Sequence, residues 1–345
     1  MGLRVLDPLS GSEWDALAIA HPDCSIFHRG AWARVLAGVY GHRPFYLHCA
    51  QQGAGSVLLP FMEVRSRLTG NRGVALPFSD FCPPLVSGRI DGHALVGTLR
   101  NLASERGWRW FELRDAGSLL PVEATPATRF LTHELPLTGG KDELFQRCAP
   151  STRQAVRKAG RSGLTCEITT DRRALLDYYR LHVRTRRRHG LPPQSLRFFL
   201  TLHQELLCTG LGFISLVRQG AQAIAGAVFF HTGTRAVYKY GASDARFQSL
   251  RGNNLAMWRA IEFLSEKGFE SLHFGRTSLT GDSLRRFKLG WGAREGSISY
   301  FRCETATGAW LVDPDRTTGW HTSIFSRLPL CVNRAIGGAL YPHLD

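Results

Sequence analysis

Two stretches of this chain repeat each other in order and in spacing, and that limits the folds open to it. "LASERGWRWFELR" (102–114) reads against "FLSEKGFESLHFGR" (263–276): each is a helix end with Ser-Glu-basic-Gly-aromatic, followed by a short strand. Upstream, "FYLHCAQQGAGSVLLPFMEV" (45–64) reads against "GFISLVRQGAQAIAGAVFFH" (212–231), both strand, Gln-Gly turn, strand. The offsets are 161 residues between Ser104 and Ser265 and 167 between Gly53 and Gly220. Kept order and kept spacing together imply two copies of one α+β unit. The expected organisation is a first domain over 1–145 and a second over 146–304. A tail over 305–345, mildly amphipathic and poor in charge, is expected to dock on the body or lie on a membrane surface.

The second copy is the cleaner. It reads as strands over 212–218, 223–231 and 235–241, a helix over 253–267, a strand over 270–275, a helix over 282–289 and a strand over 296–303. In the longer helix Leu255, Trp258, Ile261 and Leu264 form a stripe for burial, Asn253 or Asn254 is the expected cap, and Gly268 the stop. In "LRRFKLGWGARE" (284–295), Asp282 and Ser283 are the expected caps and Gly290 the stop. Leu284, Phe287, Lys288 and Trp291 then share one side, leaving Arg285 and Arg286 on the other. A lysine on an apolar stripe calls for a reason.

Charge is uneven along the chain. The net charge is +15, and the segment 147–188 holds twelve Lys and Arg against three acids, Glu167, Asp171 and Asp177. Such a block attracts a polyanion, an anionic lipid surface or a phosphorylated substrate; a solvated helix face is the plainer alternative. Within it, Arg153, Arg157 and Lys158 share one face of an expected helix and are candidates for phosphate contacts. The eight cysteines are scattered without a C-x-x-C pair, as expected of reduced thiols in a cytoplasm. The histidines form no H-E-x-x-H, so no metal is expected. No apolar run reaches membrane-spanning length, and no export signal is read at the start.

The second copy resembles a GNAT acyltransferase domain. That resemblance implies an α+β fold of two tandem GNAT-like domains, with mixed, splayed β-sheets flanked by helices. The acyl donor would lie where two central parallel strands part, its phosphates at a helix N-terminus, which binds anions through exposed N–H groups. "SLRGNNLAMW" (249–258) would supply that terminus. Arg251, Asn253, Asn254 and Arg276, which follows the strand ending at the cleft, are the donor-binding candidates. The usual Arg/Gln-x-x-Gly-x-Gly/Ala phosphate loop does not fit these residues, which points away from ordinary acetyl-CoA binding.

More specifically, "STRQAVRKAGRSGL" (151–164), "YGASDARFQSLRGNNLAMWRAI" (240–261) and "FGRTSLTGDSLRRFKLGWGA" (274–293) resemble the Fem family of peptidoglycan-bridge aminoacyltransferases. The resemblance implies amide-bond formation on an amine acceptor, a cell-envelope precursor or similar small molecule. The donor would be aminoacyl-tRNA or, in the alternative, acyl-CoA, with no tightly bound cofactor. It places the Phe287-Lys288 pair beside the acyl-transfer centre. The chemistry agrees, because a cation in a partly dry pocket stabilises the oxyanion that forms when an amine attacks an ester. The plainer alternative is a lysine that snorkels along Phe287 or Trp291 into solvent. Asp80, an acid in the apolar, Pro-rich "LPFSDFCPPL" (76–85), is the candidate base; a turn cap is its alternative. tRNA, an amine acceptor and a possible peripheral membrane contact are the expected partners, with no DNA. The expected location is the cytoplasm, possibly the inner face of the membrane. A non-catalytic RNA- or membrane-binding protein is the remaining alternative.

Overall fold

The structure is a computed structural model describing residues 2–10, 12–51, 53–312 and 320–345, the side chains of 320–322 excepted. It divides into two compact units. Unit 1 comprises Met1–Phe130, Ser297–Asp315 and Leu340–Asp345; unit 2 comprises Leu131–Gly296 and Arg316–Ala339. The first expected domain ends at 145, inside a helix, whereas the units part at 130/131, inside a strand.

Unit 1 holds strands β1 (Gly2–Leu6), β2 (Arg43–Gln51), β3 (Gly55–Val64), β4 (Arg72–Ala75), β5 (Leu85–Gly88) and β6 (Trp110–Arg114). Its helices are α1 (Ser12–Ile19), α2 (Gly30–Tyr40) and α3 (Gly92–Glu105). β2, β3 and β4 form an antiparallel run, α3 follows, and β6 returns parallel to β4. β5 is an addition pairing with β3. Asp91 caps α3 by accepting from the amides of His93 and Ala94. Leu95, Leu99 and Leu102 then cover Leu47, Leu59, Phe61 and Phe111 of the sheet.

The chain enters unit 2 along β7 (Thr128–Pro136) and leaves along β13 (Arg294–Glu304), with β14 (Trp310–Leu311) pairing β13. Between them come α4 (Gly140–Arg147), α5 (Pro150–Arg161), β8 (Thr165–Thr169), α6 (Arg172–Arg188), α7 (Leu196–Leu202), β9 (Gly212–Gln219), β10 (Gln222–Thr232) and β11 (Arg235–Ser243). Then follow α8 (Gly252–Glu266), β12 (Ser271–Ser278) and α9 (Asp282–Leu289); α10 (Trp320–Arg327) and α11 (Leu330–Leu340) come last. The sheet order is β7-β12-β11-β10-β9-β8. β9, β10 and β11 are antiparallel neighbours, α8 crosses over, and β12 returns parallel to β11. Both units therefore contain the same antiparallel three-strand run, helix and parallel return strand. The fold is the expected α+β tandem of GNAT-like units.

Every element expected between 212 and 303 is present, within three residues at each end. Leu255, Trp258, Ile261 and Leu264 are buried, and Gly268 ends α8 with φ +76°. Gly220, with φ +57°, turns β9 into β10, where Gln219 faces Gln222. Three local expectations need correction. α8 is not capped by Asn253 or Asn254; its cap is Arg251 at φ +62°, with no side-chain cap bond. α9 begins after Gly281 rather than from an Asp282 or Ser283 cap. Leu284 is 42% exposed, because α9 is two turns long and its first turn lies beyond the core that Trp291 fills.

Two glycines give opposite expectations in unit 1. A Cβ on Gly73 would stand 2.2 Å from the Trp108 ring, whereas one on Gly97, within α3, meets nothing within 4 Å. Gly73→Ala is expected to destabilise by roughly 1–3 kcal/mol through overpacking. Gly97→Ala should stabilise by about 0.8–1 kcal/mol through helix propensity. Denaturant midpoints of the two variants check the pair.

Candidate functional site

The site begins where two strands stop pairing. β11 and β12 are hydrogen-bonded only from Arg235 with Ser271 to Val237 with His273, yet β11 continues to Ser243 and β12 to Ser278. Beyond residue 237 the parallel pair parts, and backbone groups that a sheet would satisfy need other partners.

Lys288 supplies one set. The residue is 1% exposed, and its Nζ donates to the carbonyls of Gly275 (2.9 Å) and Arg276 (3.1 Å), on the part of β12 that has left β11. Snorkelling into solvent is therefore excluded; the ammonium is held inside, on the β12 wall of the splay. Helix period explains how it gets there: α9 runs along β12, and Lys288 and Trp291 take its inward positions while Arg285 and Arg286 stay exposed.

A second group near Lys288 has no counterpart in the sequence reading. His133 on β7 is fully buried and its Nε2 donates to Glu295 Oε2 at 3.1 Å; Glu295 also accepts twice from Arg285, at 2.6 and 2.7 Å. The carboxylate needs a donor, so the proton sits on Nε2, and the buried Nδ1 has no partner. Burial, and then the Lys288 charge, hold His133 below its ordinary pKa. The Arg285 guanidinium holds Glu295 below the usual carboxylate range. A lone strand histidine carries no signal in sequence.

On the opposite wall, a pocket of about 190 Å³ opens at the start of α8. Arg251, Asn253, Asn254 and Phe287 line it together with Ser243 and Asp244. The left-handed Arg251 turns the chain sharply into the helix, and a Cβ on Gly252 would lie 3.0 Å from Ala225 Cβ, so helix and β10 are close here. β10 carries a bulge between Ala223 and Ala225, and Ile224 O accepts from Asp244 N (2.9 Å). Asn253 Nδ2 donates to Ser243 Oγ (3.1 Å), which fixes its amide across the pocket.

The other sequence candidates are dispersed. Arg276 contributes its carbonyl to Lys288 and is half-buried. Arg153 Nη1 donates to the carbonyl and side chain of Gln146 (3.0 and 2.8 Å), and Arg157 lies over the Phe145 ring. Both therefore brace α4 against α5; Arg153 is half-buried, while Arg157 and Lys158 remain exposed on that face. Asp80 belongs to unit 1, in the loop after β4. That loop is held by Arg114, which donates to the carbonyls of Leu76 (2.7 Å) and Ser79 (2.8 Å), and by Tyr300, whose hydroxyl donates to Asp80 O (2.8 Å). Among the described residues no group of three or more His, Cys, Asp or Glu is arranged to hold a metal.

A parallel pair that parts beside a helix N-terminus coincides with the sequence match: residues 146–289 fit the profile of the acetyltransferase (GNAT) domain. Unit 2 is built on a GNAT domain. The chain is accordingly an acyltransferase. FemX shares the fold with a TM-score of 0.64 and 16% identity, over 86% of this chain and 96% of its own. A tandem GNAT protein from the clavulanic acid biosynthesis pathway matches with a TM-score of 0.54 and 10% identity, over 89% and 99%. The C-terminal domain of a putative lysylphosphatidylglycerol synthetase from Agrobacterium fabrum matches with 0.51 and 16%, over 77% and 85%. At these identities the likeness is one of fold. No curated protein matches the sequence significantly.

Lys288→Met strands the carbonyls of Gly275 and Arg276 and should destabilise by about 1–3 kcal/mol for each. It also removes a positive charge that disfavours the imidazolium of His133, so the His133 pKa should rise toward its ordinary value. NMR titration of the His133 ring checks this; an unmoved or lowered value would contradict the geometry.

Proposed function

We propose that this acyltransferase forms an amide bond by moving an aminoacyl group from aminoacyl-tRNA to an amine on a cell-envelope precursor or similar small acceptor. The observation that carries the reading is the buried Lys288 ammonium on one wall of the splay, with Phe287, its neighbour in α9, lining the pocket at the head of α8. In the reaction the acceptor nitrogen attacks the ester carbonyl. The C–N bond forms, the C–O bond to the tRNA ribose breaks, and one proton passes from nitrogen to the leaving oxygen. Lys288 places fixed positive charge at a buried position, where it favours the tetrahedral oxyanion over the neutral ester. Arg251 and the N–H groups opening α8 take a donor phosphate. Asp80 is assigned the acceptor's proton, and Lys158, with Arg153 and Arg157, a phosphate of donor or acceptor.

Support for tRNA comes from the Fem-like segments and fold, and from the head of α8. There the segment Arg251-Gly252-Asn253-Asn254 does not fit the usual CoA phosphate-loop pattern. The second reading is an acyl-CoA-dependent N-acyltransferase of exopolysaccharide or secondary metabolism. It is favoured by the GNAT match itself, since such domains commonly use acyl-CoA.

A transfer assay with charged tRNA, with and without prior RNase digestion, separates the two. The tRNA reading expects RNase to abolish transfer; transfer from acyl-CoA that RNase leaves intact would replace it. Lys288→Met should lower kcat by about a hundredfold or more. Because that variant also loses hydrogen bonds, Arg251→Gly serves beside it: glycine keeps the left-handed cap without strain. It should raise the donor KM about tenfold, the worth of one charge-assisted contact, with an unchanged unfolding midpoint. An Asp80→Asn variant with undiminished kcat would remove Asp80 from the mechanism and leave deprotonation to the substrate.

A further inference from the structure

The basic end of α6 and the last helices of unit 2 meet at a surface next to the donor pocket, with which it shares Ser243 and Asp244. α6 closes on Arg186, Arg187 and Arg188. A cavity of about 540 Å³ beside that turn is lined by Arg184, Arg187, Arg188 and Arg246, with Ser326 of α10 and Leu330 of α11 on its far side. One acid, Asp244, belongs to the described lining; it pairs with Arg246 at 2.6 Å and Arg184 at 3.3 Å. Four guanidinium groups against one carboxylate leave the cavity strongly cationic.

Among the described residues, the buried positions of α11 lie on one side. Asn333 is fully buried and its Nδ2 donates to Phe325 O (3.4 Å); a Cβ on Gly337 would stand 2.1 Å from Pro193 O, so the helix lies directly on that loop. Asn333 and Gly337 are one turn apart and define the inner face. The positions turned away, Val332, Ala335 and Ala339, are all exposed and apolar, and Ile324 of α10 is 47% exposed with Arg327 near it in sequence. The single charged residue in α11, Arg334, lies over the Tyr179 ring rather than on that outer face.

We propose that this surface docks on an anionic phospholipid bilayer, with lipid phosphates in the arginine cavity and Ile324 and Val332 entering the headgroup boundary. Charge complementarity selects the occupant: guanidinium groups bind phosphodiesters in a fork, and exposed aliphatic side chains on the two helices that border the cavity suit an interface where charge and hydrocarbon meet. Single-stranded nucleic acid is the weaker match. It is held by stacking on aromatic rings, and none of the described residues lining the cavity is aromatic. The docking does not depend on which donor the transfer site uses, so its test reads binding alone.

The full chain is sedimented with phosphatidylcholine vesicles and with vesicles of phosphatidylcholine and phosphatidylglycerol in equal parts. Binding is expected only to the second and should fall as salt rises. Arg187→Gln with Arg188→Gln should weaken it by roughly thirtyfold, the effect of two surface charges. Ile324→Asp with Val332→Asp should weaken it comparably, and both pairs should keep the wild-type unfolding midpoint. Equal binding to neutral vesicles, or to none, overturns the proposal. So does binding of single-stranded RNA that the arginine pair reduces while vesicle binding is insensitive to the aspartate pair.

Discussion

A β-sheet satisfies its backbone by pairing, and two adjacent strands that part must find other partners for the groups they expose. That requirement organises unit 2. Pairing between β11 and β12 ends at Val237 and His273, and two β12 carbonyls beyond that point are taken up by the Lys288 ammonium. The helix that carries Lys288 thus closes one wall of the opening, and the left-handed turn at Arg251 sets the head of α8 at the other. An ion that completes the backbone of a cleft is also a fixed charge within it. One group then serves stability and electrostatics together, as a preorganised site requires.

The two units share a chain path and differ in what they do with it. In unit 1 the parallel pair β4 and β6 stays in register from Arg72 with Trp110 to Ala75 with Leu113. The loop that follows β4 is fastened by the buried Arg114 and by Tyr300. In unit 2 the corresponding strands run on past their last paired residues and leave room. Both copies of the framework pack a hydrophobic core, and one keeps its parallel pair together where the other lets it part.

Local signals in the second copy were strong because they are short-range. The Gln-Gly turn, the stripe from Leu255 to Leu264, Gly268 and Gly290 act on neighbouring residues, and the elements they specify appear within about two residues of expectation. Caps were less legible. An asparagine near a helix start looks like a cap until the tertiary structure offers it a better partner, as Ser243 does for Asn253. Leu284 was misplaced for a related reason: a period assigns a face, but how far the core extends along a two-turn helix is set by neighbours distant in sequence.

The candidate site divides along the same line. Sequence alone put Lys288 on the same side of α9 as Phe287 and Trp291, and left open whether its ammonium turned inward or snorkelled to solvent. It also determined that Arg251, Asn253 and Asn254 open a helix. Only the tertiary structure decided where the ammonium ends, on Gly275 and Arg276, and that His133 and Glu295 stand close by. It likewise decided that Arg153 and Arg157 contact α4, through Gln146 and the Phe145 ring. Periodicity is a property of a few turns of chain, and a sequence records it directly. Contacts between strands and helices more than a hundred residues apart depend on how the elements pack, and no local pattern encodes them.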